Sequence, residues 1–228
     1  MLDWLPENVS SYGAEIDRLF YVIYYVTGAT FFIVQIALLA FLWTYRHREG
    51  RRATYTHGNT ALEIAWTIAP AVLLVILGVV SRNVWAEIKQ SQPPSDVVAQ
   101  VTAKQFNWEI AYPGLDGKLG TEDDFTMDNE LHVPVDKTVR LILKSRDVIH
   151  SFFIPQARFK QDMVPGHEIP AWFKILKPGT YEIPCAELCG FGHSGMKGTL
   201  FVHTQAEYEA WARENKAAPV GAAPANAS

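Results

Sequence analysis

Two stretches of the chain carry no charge over lengths that few soluble folds tolerate. The first, FYVIYYVTGATFFIVQIALLAFLW, runs from Phe20 to Trp43; the second, IAWTIAPAVLLVILGVVS, runs from Ile64 to Ser81. A helix crosses the hydrocarbon core of a bilayer, about 30 Å thick, in about 20 residues. Inside that core only helices and closed barrels satisfy their own backbone polar groups. Both stretches therefore predict membrane-spanning helices, and their proximity predicts a hairpin. The connection, YRHREGRRATYTHGN, sets Arg46, Arg48, Arg51 and Arg52 against the single acid Glu49. Arginine in a short loop stays on the cytoplasmic side. The turn is thus expected in the cytoplasm, with both termini on the outer, periplasmic side of a bacterial-type inner membrane. The first stretch follows polar and mixed residues, exceeds the length of a signal h-region and lacks a basic leader, so it reads as retained.

Composition matters here mainly for how it is distributed. The net charge of −4 resides wholly in residues 86–228, with 18 acidic against 14 basic residues, whereas the hairpin half balances at six of each. Nothing in that balance suggests a nucleic-acid partner. A small acidic excess on the outer part would suit a basic protein partner, although solubility alone explains it as well.

Beyond the second apolar run, AEIKQSQPPSD (residues 86–96) is a polar, Pro-containing linker. The pattern then changes to short β-type runs: VVAQVTAKQFNWEIAY, TVRLILKS, HSFFIP, AWFKIL, TYEIP and TLFVHT. Short strands at such spacing predict an all-β sandwich or barrel. Thr204 and Glu207 form a T-x-x-E capping box ahead of a short helix, and the Ala/Pro-rich end reads as a disordered tail. The expected organisation is an outer N-terminal segment (1–18), a transmembrane hairpin (19–85), a linker (86–96), a β domain with a C-terminal helix (97–216) and the tail (217–228). One loop, GLDGKLGTEDD, gathers Asp116, Asp123 and Asp124 among glycines. It lacks a full EF-hand pattern and reads as a hairpin tip in preference to a Ca²⁺ site.

The chemistry concentrates in CAELCGFGHSGM, from Cys185 to Met196, which holds both cysteines of the chain. Thiolate, imidazole and thioether together select copper or zinc. A structural zinc site uses four Cys or His ligands, usually as two spaced pairs, and Met196 suits it poorly. Cys189, His193 and Met196 match the downstream half of a blue-copper site, which needs one further His from an earlier strand. His150, in DVIHSFFIP, has that context; His132 and His167 are less well placed, and His47 and His57 fall on the cytoplasmic side of the hairpin. A single copper has no use for a second thiolate four residues away. Two coppers do, because each sulfur can bridge both. The residues thus point to a binuclear copper electron carrier. A Cys185–Cys189 disulfide, a zinc site and a pair of inert buried thiols remain as alternatives.

The chain resembles subunit II of the haem–copper cytochrome c oxidases over nearly its full length, through HGNTALEIAWTIAP, DVIHSFFIP, KQDMVPG and CAELCGFGHSGM. The resemblance implies a cupredoxin-like Greek-key β-sandwich on a two-helix transmembrane hairpin. It implies that Cys185 and Cys189 bridge two coppers, that His150 and His193 each complete one, and that Met196 and the Glu187 carbonyl are weak ligands. The Glu187 carboxylate would help hold a Mg²⁺ shared with subunit I. Glu63, within L-E-x-x-W-T, would lie at the mouth of a proton path, although a carboxylate there can equally reach the interface as a plain surface group. The family has Trp after the Gln of Q-W-x-W as the point where electrons are accepted. Here the stretch is KQFNWEI, so Phe106 takes that place and Trp108 alone matches. His167 stands after VPG where many relatives have Arg. Asp162 is a candidate contact for the donor or for subunit I.

The implied function is the electron-input subunit of a proton-pumping terminal oxidase, partnered by subunits I and III. The donor is cytochrome c, or, given Phe106, a cytochrome-bearing respiratory complex held in place. No C-x-x-C-H haem motif occurs. The competing readings are a quinol oxidase subunit without copper and a free-standing, membrane-anchored copper carrier.

Overall fold

The computed structural model describes residues 4–216. It divides into a helical unit, Glu15–Gln90, and a β unit comprising Met1–Ala14 and Ser91–Ser228. The tail expected over 217–228 lies outside the described residues.

Helix α1 spans Gly13–Thr44 and α2 spans Thr60–Lys89. Each contains an apolar window with no buried residue, at mean hydropathy 2.0 and 2.4. Apolar surface on that scale is untenable in water, so these faces require lipid or protein around them. Helix α1 starts well before Phe20, because Glu15, Asp17 and Arg18 lower the hydropathy of its first turns without interrupting the helix. Asn59 caps α2, its side chain accepting from Ala61 N at 3.1 Å and Leu62 N at 3.2 Å. At the end of α1, Arg46 donates to Trp43 O at 2.8 Å and Arg51 to Thr44 O at 2.9 Å. Two of the loop arginines thus satisfy the last carbonyls at the negative end of the helix dipole.

The β unit is a sandwich. Its strands are β1 (Val97–Lys104), β2 (Asn107–Tyr112), β3 (Phe125–Asp128), β4 (Glu130–Pro134), β5 (Thr138–Ser145), β6 (His150–Ile154), β7 (Phe159–Met163), β8 (Ile169–Lys174), β9 (Gly179–Pro184) and β10 (Lys197–His203). One sheet has the order β3-β2-β1-β5-β8, the other β4-β10-β9, and β6 pairs with β7 in a separate ribbon. The β1/β5 and β4/β10 pairs are parallel and the rest antiparallel. A bridge between Phe152 and Cys185 joins the ribbon to the end of β9.

Alternation decides what goes inside. Along β5, Val139, Leu141 and Leu143 are buried while Arg140 is exposed. Val101, Ile110, Phe173 and Leu200 are fully buried as well, as expected for two half-polar sheets facing one another. Trp108 lies fully buried there, and its indole N–H donates to Ile183 O at 3.1 Å, which removes the cost of burying it.

The N-terminal segment belongs to this unit. Ser11 N donates to Lys174 O at 3.0 Å and Leu176 N to Val9 O at 2.7 Å, so the segment extends the edge at β8. Val9 and Tyr12 are buried by it. The last described element is α3, Gln205–Lys216. Its capping box forms as expected: the Glu207 carboxylate accepts from Thr204 N at 2.9 Å and from its hydroxyl at 2.8 Å. Trp211 of α3 lies flat on His132, with ring centroids 4.6 Å apart.

Candidate metal centre

The turn from β9 to β10 carries five of the six expected donors, and the first residue of β6 carries the sixth. Hydrogen bonds fix both pieces. Cys185 N donates to Met196 O at 3.0 Å, which closes the base of the loop, and Ala186 N donates to Ser151 O at 3.0 Å, which binds the loop to β6. His193–Gly195 forms a short 3-10 turn that ends at Met196 and aims that side chain inward.

The two sulfurs, Cys185 Sγ and Cys189 Sγ, lie 3.9 Å apart. A disulfide needs about 2.05 Å, and both cysteines are free. Around Cys185 Sγ are His150 Nδ1 at 3.9 Å and the Glu187 carbonyl oxygen at 3.3 Å. Around Cys189 Sγ are His193 Nδ1 at 3.6 Å and Met196 Sδ at 3.8 Å. His150, Cys185, Cys189 and Met196 are buried, whereas the Glu187 side chain is exposed. Each sulfur therefore has one imidazole and one weaker donor beside it. His150, Cys185 and Cys189 bring their ligand atoms within 4.8 Å of one another.

This donor set fits a metal. Burial, and then the neighbouring Cys185, push the Cys189 thiol up to about 11. A bound cation would reverse that shift at Cys189, since metal binding draws the proton off a thiol. At metal–sulfur bonds of about 2.3 Å, both sulfurs can reach one metal atom across this gap. Six donors exceed the four of a single tetrahedral ion, which favours a metal pair and disfavours structural zinc.

The remaining candidates scatter. Phe106 is exposed and lies against the glycines of the Cys185–Met196 loop. A Cβ on Gly190 would stand 3.2 Å from its ring and one on Gly192 2.5 Å. Trp108 is buried below, its ring centroid 6.1 Å from that of His150. Asp162 sits on β7 opposite Ser151, whose hydroxyl it accepts at 2.7 Å, next to a ligand but outside the cluster. Glu63 lies in the first turn of α2, in the helical unit. Asp116, Asp123 and Asp124 turn their carboxylates onto their own loop: Asp123 accepts Asp116 N at 3.1 Å and Asp124 accepts Gly120 N at 2.6 Å. His132 lies away from the centre, its Nδ1 2.8 Å from His203 Nε2, and His167 Nδ1 faces Pro165 O at 3.2 Å.

Two residues of consequence escaped the sequence reading. Asp147 Oδ1 stands 2.8 Å from His150 Nε2, and the same carboxylate accepts Gln105 N and Val148 N, each at 2.7 Å. Burial alone would raise its pKa, but the hydrogen bonds from His150, Gln105 and Val148 outweigh that and hold it below the usual carboxylate value. Gln105 Nε2 donates to Cys189 O at 2.6 Å. The D-x-x-H spacing of DVIH was the available signal for Asp147.

Comparison with known proteins identifies the family. Residues 4–84 match the family described as cytochrome c oxidase subunit II, transmembrane domain, and residues 100–202 match its periplasmic domain. "Cytochrome c oxidase subunit 2" of Thermostichus vulcanus is 32% identical over 93% of this chain and 79% of its own length. The protein of the same name from Cereibacter sphaeroides is 32% identical over 84% of this chain and 72% of its own length. Among solved structures, the periplasmic domain of subunit II of cytochrome oxidase of Bradyrhizobium japonicum is 31% identical, with a TM-score of 0.48, covering 54% of this chain and 96% of that one. The two family matches together take in the helical hairpin and most of the β-sandwich, and the Thermostichus relative aligns with 93% of the chain: it belongs to the cytochrome c oxidase subunit II family.

Proposed function

We propose that the chain is the electron-input subunit of a proton-pumping terminal oxidase. It accepts electrons singly from a cytochrome c on the outer face and passes them to a haem in subunit I, where oxygen is reduced to water. One observation carries this reading: two free thiols 3.9 Å apart with an imidazole beside each. A copper pair bound there would supply a one-electron store whose charge is shared across both sulfurs.

The chain's own residues would do the rest. Cys185, Cys189, His150 and His193 would hold the copper pair, and Met196 and the Glu187 carbonyl would serve as weaker donors. Trp108, Phe152 and Ile183, all fully buried, keep water from the inner side. Phe106 offers the donor an exposed apolar ring against the loop, and Trp108 lies one layer deeper. The exposed Glu187 carboxylate is free to reach outward toward a Mg²⁺ held jointly with subunit I. Asp162 is the candidate contact for the donor or for subunit I. Glu63, at the start of α2 and on the arginine-loop side of the hairpin, is the proposed mouth of a proton path. The hairpin spans an energy-transducing inner membrane with the arginine loop in the cytoplasm and subunits I and III beside it.

Copper analysis and EPR of the purified full-length chain test this. Two coppers per chain and a signal from one spin shared over two nuclei are expected. Cys189→Ser should abolish that signal while membrane insertion persists. Oxidase activity retained without copper would instead identify a quinol-oxidising relative.

A further inference from the structure

We propose that Asp147 is a positioning residue for the copper centre. Its carboxylate fixes the ring of His150 and at the same time ties down the turn that presents Phe106. The inference rests on the copper reading above.

His150 has no solvent exposure. Its Nδ1 faces Cys185 Sγ at 3.9 Å and its Nε2 faces Asp147 Oδ1 at 2.8 Å. An imidazole that offers one nitrogen as a ligand keeps its proton on the other, and the partner of that other nitrogen selects the tautomer and the ring angle. Asp147 is that partner. Its charge is not spent elsewhere nearby: Arg146 and Lys104 both pair with Glu109.

The second oxygen extends the arrangement. Asp147 Oδ2 accepts Gln105 N at 2.7 Å, and Gln105 Nε2 donates to Cys189 O at 2.6 Å. A chain of hydrogen bonds thus runs from His150 through Asp147 and Gln105 to Cys189. It joins the ligand on β6 to the ligand loop and passes through the residue before Phe106. Gly190 and Gly192 leave room for the Phe106 ring to lie directly on that loop. One carboxylate therefore sets a ligand and the adjoining surface ring together.

Full-length chain loaded with copper in detergent provides the test, comparing wild type with Asp147→Asn. The amide keeps the size and an acceptor oxygen but removes the charge. Two coppers per chain should remain. The reduction equilibrium should move about tenfold toward the reduced form, ~59 mV upward for a one-electron couple, with an altered nitrogen hyperfine coupling from one of the two imidazoles. A role confined to shaping the turn would leave the potential unmoved, and an unchanged potential with both coppers present overturns the proposal. Nitrogen NMR of His150 in the metal-free wild-type chain decides the matter without any variant. A proton on Nε2 is expected, and a proton on Nδ1 overturns the proposal. A wild-type chain that binds no copper pair would defeat the dicopper reading, while the NMR result would still judge the clamp.

Discussion

The docking of α3 should depend on pH through one imidazole. Trp211 lies on one face of His132 at 4.6 Å and Phe201 on the other at 4.6 Å, both nearly parallel to it. In the plane of the ring, His132 Nδ1 meets His203 Nε2 at 2.8 Å. The centroid separation of 5.1 Å at 9° between those two rings marks an edge-to-edge pair. Glu130 approaches the other nitrogen at 3.4 Å; Glu207, Tyr208 and Tyr112 are the further titratable groups around the cluster. Burial, and then His203, lower His132 from 6.5 to about 4. A histidine lowered in the fold is neutral there, so nothing is lost above its ordinary value. As pH falls from 6.5 toward 4, the open state gains protons that the closed state refuses, and the closed state loses stability. At pH 5 those two values make local opening about 30-fold more favourable than at pH 7.5, ~2 kcal/mol. Solvent at the edge of the pair screens this, so about tenfold is the lower expectation. Amide hydrogen exchange across Gln205–Lys216, corrected for the intrinsic pH dependence, reads it directly. His132→Phe, which keeps the aromatic sandwich but cannot titrate, should flatten the response. Equal protection of α3 at both pH values in wild type, or an undiminished response in His132→Phe, would refute the reasoning.

Two other expectations are simpler. Gly192→Ala places a Cβ 2.5 Å from the Phe106 ring, against a normal carbon contact of about 3.5–4.0 Å. The exposed ring should swing about 1 Å off the loop, slowing reduction by cytochrome c in stopped flow while copper content stays at the wild-type level. Thr204→Ala removes the cap of α3 and should cost about 1 kcal/mol, seen as faster exchange of the first α3 amides with the copper signal unaltered.

What the sequence disclosed follows the range of the interactions. The helices were visible because hydropathy is local, yet Asp17 and Arg18 hid the true start of α1. The donors in Cys185–Met196 were visible because soft ligands at close spacing have few other uses. His150 needed only a strand pattern around it. Asp147 was missed because its meaning lies in which imidazole nitrogen it meets, and only the turn after β5 decides that. The pairing of Val9 with Leu176 and of His132 with His203 joins residues far apart in the chain, with no local pattern to announce it.

The asymmetry of the donor set has a mechanical consequence. His150 and Cys185 are 35 residues apart, and between them run β6, β7, β8 and β9. An ion gripped by both would act as a cross-link closing that segment, much as a disulfide does. By the loop-entropy relation such closure contributes about 3–4 kcal/mol. Stripping such a metal should therefore loosen the β6–β7 ribbon first, so that an ion bound there for redox chemistry would double as one of the subunit's fasteners.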